Sequence, residues 1–279
     1  MKFNKCLLAA AAALMAAACG PKKADAPKVL VLYYSQTTNT SAVAQEIANA
    51  LGADMEEIIP VVPYDGTYQE TIQRGMTERQ SGILPEIQPL NADLSAYDVI
   101  FLGYPIWYGT YALPVATLLD QVDLSGKKVV PFCTFGSGGL DESTKDLAAK
   151  QPGAEILPGY GVRAARMSAM PKEVDQFLKA NGFLEGEAVK LEAFPEAHPV
   201  TEAEAAIFDA AVSTYPMINA QALTATSRSV PGGVEYIFTA QDKPREGMPP
   251  MPAGLSPREM KIYVIAEEGK DPEFTQVVR

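Results

Sequence analysis

The chain has 279 residues, a length that corresponds to about two domains. Apolar residues make up 47% of the sequence and charged residues 20%, which excludes global disorder and allows a sizeable core. A net charge of −11 argues against nucleic-acid binding, because contacts to phosphates require a basic face. The sequence has one histidine and three cysteines, so it predicts neither a metal site nor a disulfide framework.

The first 18 residues predict an export signal rather than a part of the fold. Lys2 and Lys5 form a short basic region, and residues 6–18 are an almost unbroken apolar run. This run is shorter than the about 20 residues that a transmembrane helix needs, and it is typical of a signal peptide.

The end of the apolar run predicts a lipid anchor. Residues 16–20 read Ala-Ala-Ala-Cys-Gly, which resembles the lipobox of bacterial lipoproteins, with Cys19 as the lipidated residue. The alternative is an ordinary secretory signal that is cleaved after Ala18. Lipidation predicts an exported bacterial lipoprotein, anchored on the periplasmic or cell-surface side, with residues 19–27 as a polar tether. Cleavage would leave 21 basic and 34 acidic residues, a net charge of −13, and Cys133 as the only free thiol.

Residues 28–185 predict an alternation of strands and helices. The runs at 29–34, 99–103 and 129–133 are continuously apolar, which is typical of strands buried on both faces of a parallel sheet. Further strands are predicted at 54–59 and 156–161, and helices at 43–51, 110–120, 141–150 and before Asn181-Gly182. The pattern predicts an α/β fold with a doubly wound, five-stranded parallel sheet.

Ligands of doubly wound sheets bind beyond the carboxyl ends of the strands, where three loops of this sequence meet. The first loop, residues 35–40, carries four hydroxyls and two amides at the start of a helix, and no basic residue: Ser35, Gln36, Thr37, Thr38, Asn39 and Thr40. Backbone N–H groups, hydroxyls and the helix dipole can together hold a dianionic phosphate. The alternative is a helix N-cap, for which one hydroxyl is enough.

The second loop, residues 103–110, carries the only tryptophan of the chain. It includes Pro105, Ile106, Trp107, Tyr108 and Gly109. An aromatic face is suited to stacking on a planar conjugated ring, and the alternative is a hydrophobic plug at the end of the sheet.

The third loop, residues 134–139, is rich in glycine. It includes Thr134, Phe135, Gly136, Ser137 and Gly138. Glycines allow backbone donors to approach the edge of a ring closely, although a glycine-rich turn between a strand and a helix is common.

Two of these loops resemble flavodoxin motifs. Residues 35–40 resemble the flavodoxin phosphate loop S/T-x-T-G-N-T, with Thr38 where many members have glycine. Residues 104–109, Y-P-I-W-Y-G, look like the Y-P-I-W-W-G segment of a bacterial flavodoxin subfamily. The resemblance covers about residues 28–182 and implies bound FMN. It places the phosphate on Ser35, Gln36, Thr37, Asn39 and Thr40, the isoalloxazine against Trp107 and Tyr108, and residues 134–138 along its pyrimidine edge.

A redox role follows from the resemblance, with no residue required as acid, base or nucleophile. FMN would carry the electrons, and the acidic chain would lower its potential and favour a basic redox partner protein. An alternative is an FMN-dependent NAD(P)H or quinone reductase with a small-molecule acceptor. A third possibility is a non-redox binding module that keeps the fold. Cys133 is interpreted as a small buried hydrophobe.

The rest of the chain predicts a linker and a second, α+β domain. The linker spans residues 186–200, where His198 is expected at the surface, and the domain spans residues 201–279. Thr201 and Glu204 fit a capping box for its helix. Four antiparallel strands are predicted at 221–230, 234–240, 260–266 and 274–278, with a turn at 231–233. Residues 242–257, rich in proline and methionine, predict a solvated loop, with partner docking as the alternative. No role is predicted for this domain.

Overall fold

The structure is a computed structural model that describes residues 27–243 and 258–279. The predicted export signal, Cys19 and nearly all of the predicted tether lie outside the described residues, as do residues 244–257 of the predicted Pro/Met-rich loop. In the described part of the chain, no helix has the length and apolar character needed to cross a bilayer.

The first domain is built around a parallel sheet, as the sequence predicted. Its strands are β1 (Val29–Tyr33), β2 (Asp54–Glu57), β3 (Val99–Trp107), β4 (Thr110–Tyr111), β5 (Lys128–Phe135), β6 (Glu155–Ile156) and β7 (Tyr160–Arg163). Its helices are α1 (Asn39–Leu51), α2 (Tyr68–Ser81), α3 (Leu113–Gln121), α4 (Leu140–Lys150) and α5 (Met170–Ala180). The strand order is β2-β1-β3-β5-β6, with β7 also pairing in parallel with β5. The carboxyl ends of β1, β3 and β5 therefore lie side by side.

Both faces of the sheet are buried, which explains the continuous apolar runs. Leu30 and Leu32 of β1 belong to one core cluster, and Val31 and Tyr33 belong to the other. Helices α1 and α5 cover the second face, and α3 and α4 cover the first. A strand between two helical layers has no solvated face, so its sequence shows no apolar–polar alternation.

The fifth strand differs from the prediction because it is interrupted. β6 pairs with Lys128 and Val129 of β5, whereas β7 pairs with residues 132–135. The gap lies opposite Val130 and Pro131, and proline has no N–H to donate to a ladder.

Two further elements differ from the sequence predictions. Helix α2 was not predicted, because among its residues only Gly75 is buried and it has little apolar periodicity. The segment predicted as a helix from residue 110 begins with the short antiparallel strand β4, and its helix begins at Leu113.

The C-terminal domain packs one helix on an antiparallel sheet, as predicted. Its elements are β8 (His198–Pro199), α6 (Glu202–Ser213), β9 (Ala220–Val230), β10 (Gly233–Asp242), β11 (Glu259–Glu267) and β12 (Glu273–Val278). The order β12-β11-β10-β9-β8 contains a fifth strand, β8, which comes from the predicted linker and pairs with Thr224 and Ala225. The capping box of Thr201 and Glu204 is present at the start of α6. The buried side chains of α6 pack on this sheet to form a core separate from those of the first domain.

Candidate functional site

The first loop turns sharply between β1 and α1. The Tyr34 N–H still donates to the Gly103 carbonyl, at 2.9 Å, so the chain leaves the sheet directly after this residue. Thr38 then adopts a left-handed conformation with φ of 64° and ψ of −17°. A β-branched residue rarely takes this conformation, which glycine adopts freely. The threonine therefore follows a backbone path typical of glycine, at a cost in strain.

Hydrogen bonds tie the first loop to its surroundings at three points. The Ser41 N–H donates to Ser35 Oγ at 3.2 Å, and Gln36 Nε2 donates to the Tyr64 carbonyl at 2.7 Å. Thr40 Oγ1 lies 2.8 Å from Thr134 Oγ1, both side chains being buried, so the first and third loops are joined directly.

The N-terminus of α1 has backbone and side-chain groups without hydrogen-bond partners among the described residues. Thr38, at its N-cap, provides no side-chain hydrogen bond, and the first turn contains no acidic residue. Within the described residues, no hydrogen bond forms to the backbone N–H of Asn39 or Thr40, or to the side chain of Thr37 or Asn39. Thr37 and Thr38 are exposed. The end of the helix thus presents unpaired donors and hydroxyls to an anion.

The second loop is a β-hairpin rather than an irregular loop. Strand β3 continues to Trp107 and pairs with β4, so Tyr108 and Gly109 form a two-residue turn. Their φ angles of 54° and 89° are both positive, as a type I′ turn requires. The Tyr108 hydroxyl donates to the Ile72 carbonyl at 2.7 Å, which holds the ring against α2.

The two aromatic residues of this hairpin have different surroundings. Trp107 is half-buried and packs edge to face against Tyr34 and Tyr64, with ring centroids 5.7 and 5.0 Å away. Tyr108 is 40% exposed and borders an open cleft. The structure therefore places Trp107 beside the first loop and Tyr108 at the cleft.

The third loop packs closely against its neighbours at a glycine and is bound by an arginine. Thr134 and Phe135 are the last residues of β5, and the chain then turns through residues 136–139 into α4. A Cβ at Gly139 would lie 2.7 Å from Ile106 Cγ2, so the second and third loops are in close contact. Arg163 Nε donates to the Gly136 carbonyl at 2.9 Å.

A cleft of about 450 Å³ lies between the second loop, the third loop and the C-terminal domain. Seven of the predicted site residues line it: Ile106, Tyr108, Gly109, Phe135, Gly136, Ser137 and Gly138. The predicted residues of the first loop, with Pro105, Trp107 and Thr134, do not line the cleft. The predicted site thus divides into an anion-binding helix end and a neighbouring cleft.

The cleft is also lined by Gly139, the last residue of the predicted third loop. Its remaining lining residues were missed by the sequence interpretation: Tyr68, Glu142, Tyr215, Arg258, Val277 and Arg279. The capping box of Thr67 and Glu70 is a local signal that could have predicted α2, and with it Tyr68. The four residues of the C-terminal domain have no local signal, because only the docking of the two domains brings them here.

Cys133 is not suited to redox chemistry. Its side chain is 0% exposed, and burial raises the pKa of the thiol above its usual value. The thiolate that such chemistry needs is therefore disfavoured. Among the described residues, no group of three or more His, Cys, Asp or Glu side chains could hold a metal ion.

The first domain matches a known protein family. The model of a family described as "Flavodoxin" matches residues 28–176, which is more than half of the chain. The chain belongs to the flavodoxin family. The match covers all three loops and ends before the C-terminal domain.

Solved structures and a curated relative are similar to this flavodoxin domain. A flavoprotein structure from Bacteroides eggerthii is 28% identical, covering 56% of this chain and 98% of that one, with a TM-score of 0.50. A flavoprotein in complex with FMN from Lactobacillus acidophilus is 27% identical, covering 55% and 100%, with a TM-score of 0.47. An NAD(P)H dehydrogenase (quinone) from Gluconacetobacter diazotrophicus is 33% identical over 97 residues, 34% of this chain. The match spans 46% of that relative's length.

Proposed function

We propose that this flavodoxin-family protein binds FMN across the helix end and the cleft, and transfers electrons through it as an exported, lipid-anchored protein. The open N-terminus of α1 carries this proposal. Its unpaired N–H groups and the hydroxyls around Thr38 are suited to a phosphate, and a neighbouring cleft could take a planar ring.

The residues present fit the phosphate end of FMN. Thr38 is held in a left-handed conformation at a helix start that it does not cap. Backbone strain of this kind is usually maintained where function requires the geometry. The Thr40–Thr134 hydroxyl contact fixes the loop to β5, so the donors are in place before a ligand arrives.

The residues present also fit the ring end. The cleft is within the size range of cofactor sites, and Tyr108 and Ile106 supply aromatic and apolar surface. The third loop lines the cleft beside this surface, so its backbone could supply polar groups to the ring. Trp107 does not line the cleft. It packs against Tyr34 and Tyr64 and so holds the second loop next to the first loop.

When bound, FMN supplies the electron-accepting chemistry, and the protein sets its potential through contacts and charge. The residues of the chain bind and orient the cofactor, and none needs to act as acid, base or nucleophile. The acidic balance of the chain disfavours added negative charge in the site and favours docking to a basic redox partner.

Export and anchoring are proposed from the sequence alone. Cys19, directly after the small residues that end the apolar run, would be acylated. A polar tether up to residue 27 would then connect the membrane surface to β1 at Val29.

The absorption spectrum of the full-length protein, purified in detergent and incubated with FMN, tests the central part of the proposal. Flavin bands that remain after gel filtration are expected. A spectrum without them after reconstitution would contradict FMN binding and favour a non-redox binding module.

A reductase that acts on a small molecule is the second candidate. Two observations favour it: the 97-residue similarity to an NAD(P)H dehydrogenase (quinone), and a cleft that the C-terminal domain borders on one side. The rate of direct reduction by NAD(P)H distinguishes it from an electron-transfer protein.

A further inference from the structure

The third loop is docked on the free edge of the C-terminal sheet. Strand β12 is the outer strand of that sheet, and the Val277 N–H donates to the Ser137 carbonyl at 2.6 Å. A Cβ at Gly138 would lie 2.2 Å from the Val277 carbonyl oxygen, so only glycine allows this approach. The third loop thus contacts the outer strand of the other domain's sheet through main-chain groups.

A buried arginine joins the two domains beside this contact. Arg163, at the end of β7, is 5% exposed. Its Nε donates to the Gly136 carbonyl and its Nη1 to the Phe274 carbonyl, each at 2.9 Å. The guanidinium also lies 3.4 Å from the centroid of the Phe274 ring. One side chain therefore fixes the third loop and β12 relative to each other.

Tyr215, just after α6, extends the C-terminal domain into the cleft. A Cβ at Gly136 would lie 3.1 Å from the Tyr215 hydroxyl, and the ring packs on Phe274 at 5.6 Å. The Tyr215 side chain is half-buried and lines the cleft beside Gly136.

We infer that the C-terminal domain is a wall of the cofactor's ring site, with Tyr215 as a ring-binding residue and Arg163 and Val277 as positioning residues. The inference rests on the proposal that FMN binds here. Tyr215 and β12 line the same cleft as the second and third loops, so a planar ring in this cleft contacts both domains. No residue of the first loop lines the cleft, so a phosphate held by the first loop is expected to lie away from Tyr215.

The experiment compares two flavins on the full-length apoprotein. Fluorescence titration gives the dissociation constants of FMN and of riboflavin, which lacks the phosphate. Tyr215→Ala is expected to weaken both flavins by the same factor, about three- to tenfold, because it removes an aromatic contact to the ring. Tyr236→Ala is the matched control, since this half-buried tyrosine of β10 does not line the cleft.

A second pair of variants tests the docking of the third loop. Val277→Pro removes the N–H that donates to Ser137, and Val277→Ala keeps it. An outer strand tolerates proline where its N–H points away from the neighbouring strand. Val277→Pro is expected to weaken both flavins more than Val277→Ala does. Circular dichroism tests whether each variant is folded. If Val277→Pro does not fold, the inference is tested by Tyr215→Ala alone.

The outcomes separate this inference from the proposal it rests on. A wild-type protein that binds neither flavin contradicts FMN binding itself. If the wild type binds FMN and the folded Tyr215→Ala variant has the same dissociation constants for both flavins, the inference is overturned and FMN binding is not. A loss for FMN but not for riboflavin also overturns it, because Tyr215 would then act on the phosphate.

Discussion

The left-handed Thr38 gives a direct test of the strain at the helix end. Thr38 has φ of 64°, and many flavodoxins have glycine in the corresponding position of the motif. The substitution Thr38→Gly removes the Cβ that opposes this conformation and leaves the backbone path available. We therefore expect the variant apoprotein to be more stable than the wild type.

The magnitude follows from two opposing terms. A residue with a Cβ in the left-handed region costs about 1–2 kcal/mol, which glycine at position 38 would recover. Glycine also makes the unfolded chain more flexible, which costs about 0.5–1 kcal/mol. The difference between these two ranges is an expected net gain of about 0–1.5 kcal/mol in the free energy of unfolding, equivalent to a rise in Tm of up to about 6 °C.

Thermal and urea unfolding measure this gain in stability. The apoprotein is used because a bound ligand would itself stabilise the fold. Thr37→Gly is the matched control, because Thr37 is in the same exposed loop and does not have a positive φ. The control is expected to lose about 0.5–1 kcal/mol. Equal destabilisation by both substitutions would refute the assignment of strain to Thr38.

Three further predictions concern the ligand, the membrane and the electron donor. Thr37→Val and Asn39→Ala should each weaken FMN binding by about 10- to 150-fold, the loss of a hydrogen bond to a charged group, and leave riboflavin binding unchanged; equal losses for both flavins in calorimetry would contradict a phosphate site. Cys19→Ser should move the protein from the membrane fraction to the soluble fraction in detergent partitioning, and retention of the variant in the membrane would argue against a lipid anchor. Stopped-flow measurements should show slow reduction by NADH and NADPH and faster exchange with a basic redox partner, slowed by salt; rapid, saturable reduction by NAD(P)H would favour the reductase.

The local motifs of the first domain could be predicted from the sequence. A strand buried on both faces must be apolar at every position, so β1, β3 and β5 were recognisable from short segments. The alternation of strands and helices predicted a parallel sheet, and the resemblance of two loops to flavodoxin motifs agrees with the family match. The capping box of Thr201 and Glu204 is likewise a local signal, because its partners are three residues apart.

Elements that depend on distant partners were missed or misplaced. Helix α2 is largely solvent-facing, so it lacks the apolar period that identifies a helix. Strand β8 has only two residues, and it forms because Thr224 and Ala225 offer them a free edge. The second loop became a hairpin because β3 has a partner in β4, which the sequence did not reveal.

The joining of the two domains was decided by tertiary structure alone. Arg163 and Phe274 are 111 residues apart in the sequence. The Ser137–Val277 hydrogen bond joins a main-chain carbonyl to a main-chain N–H, and every residue except proline has both groups. A main-chain contact restricts the residue type only where space is short, as at Gly138. Because glycine is also common in turns that contact no second domain, Gly138 alone does not predict this contact. The sequence by itself therefore determined the flavodoxin domain and its three loops. Only the docking of β12 placed Tyr215 in the cleft, because side chains from separate domains meet there by packing rather than by spacing along the chain.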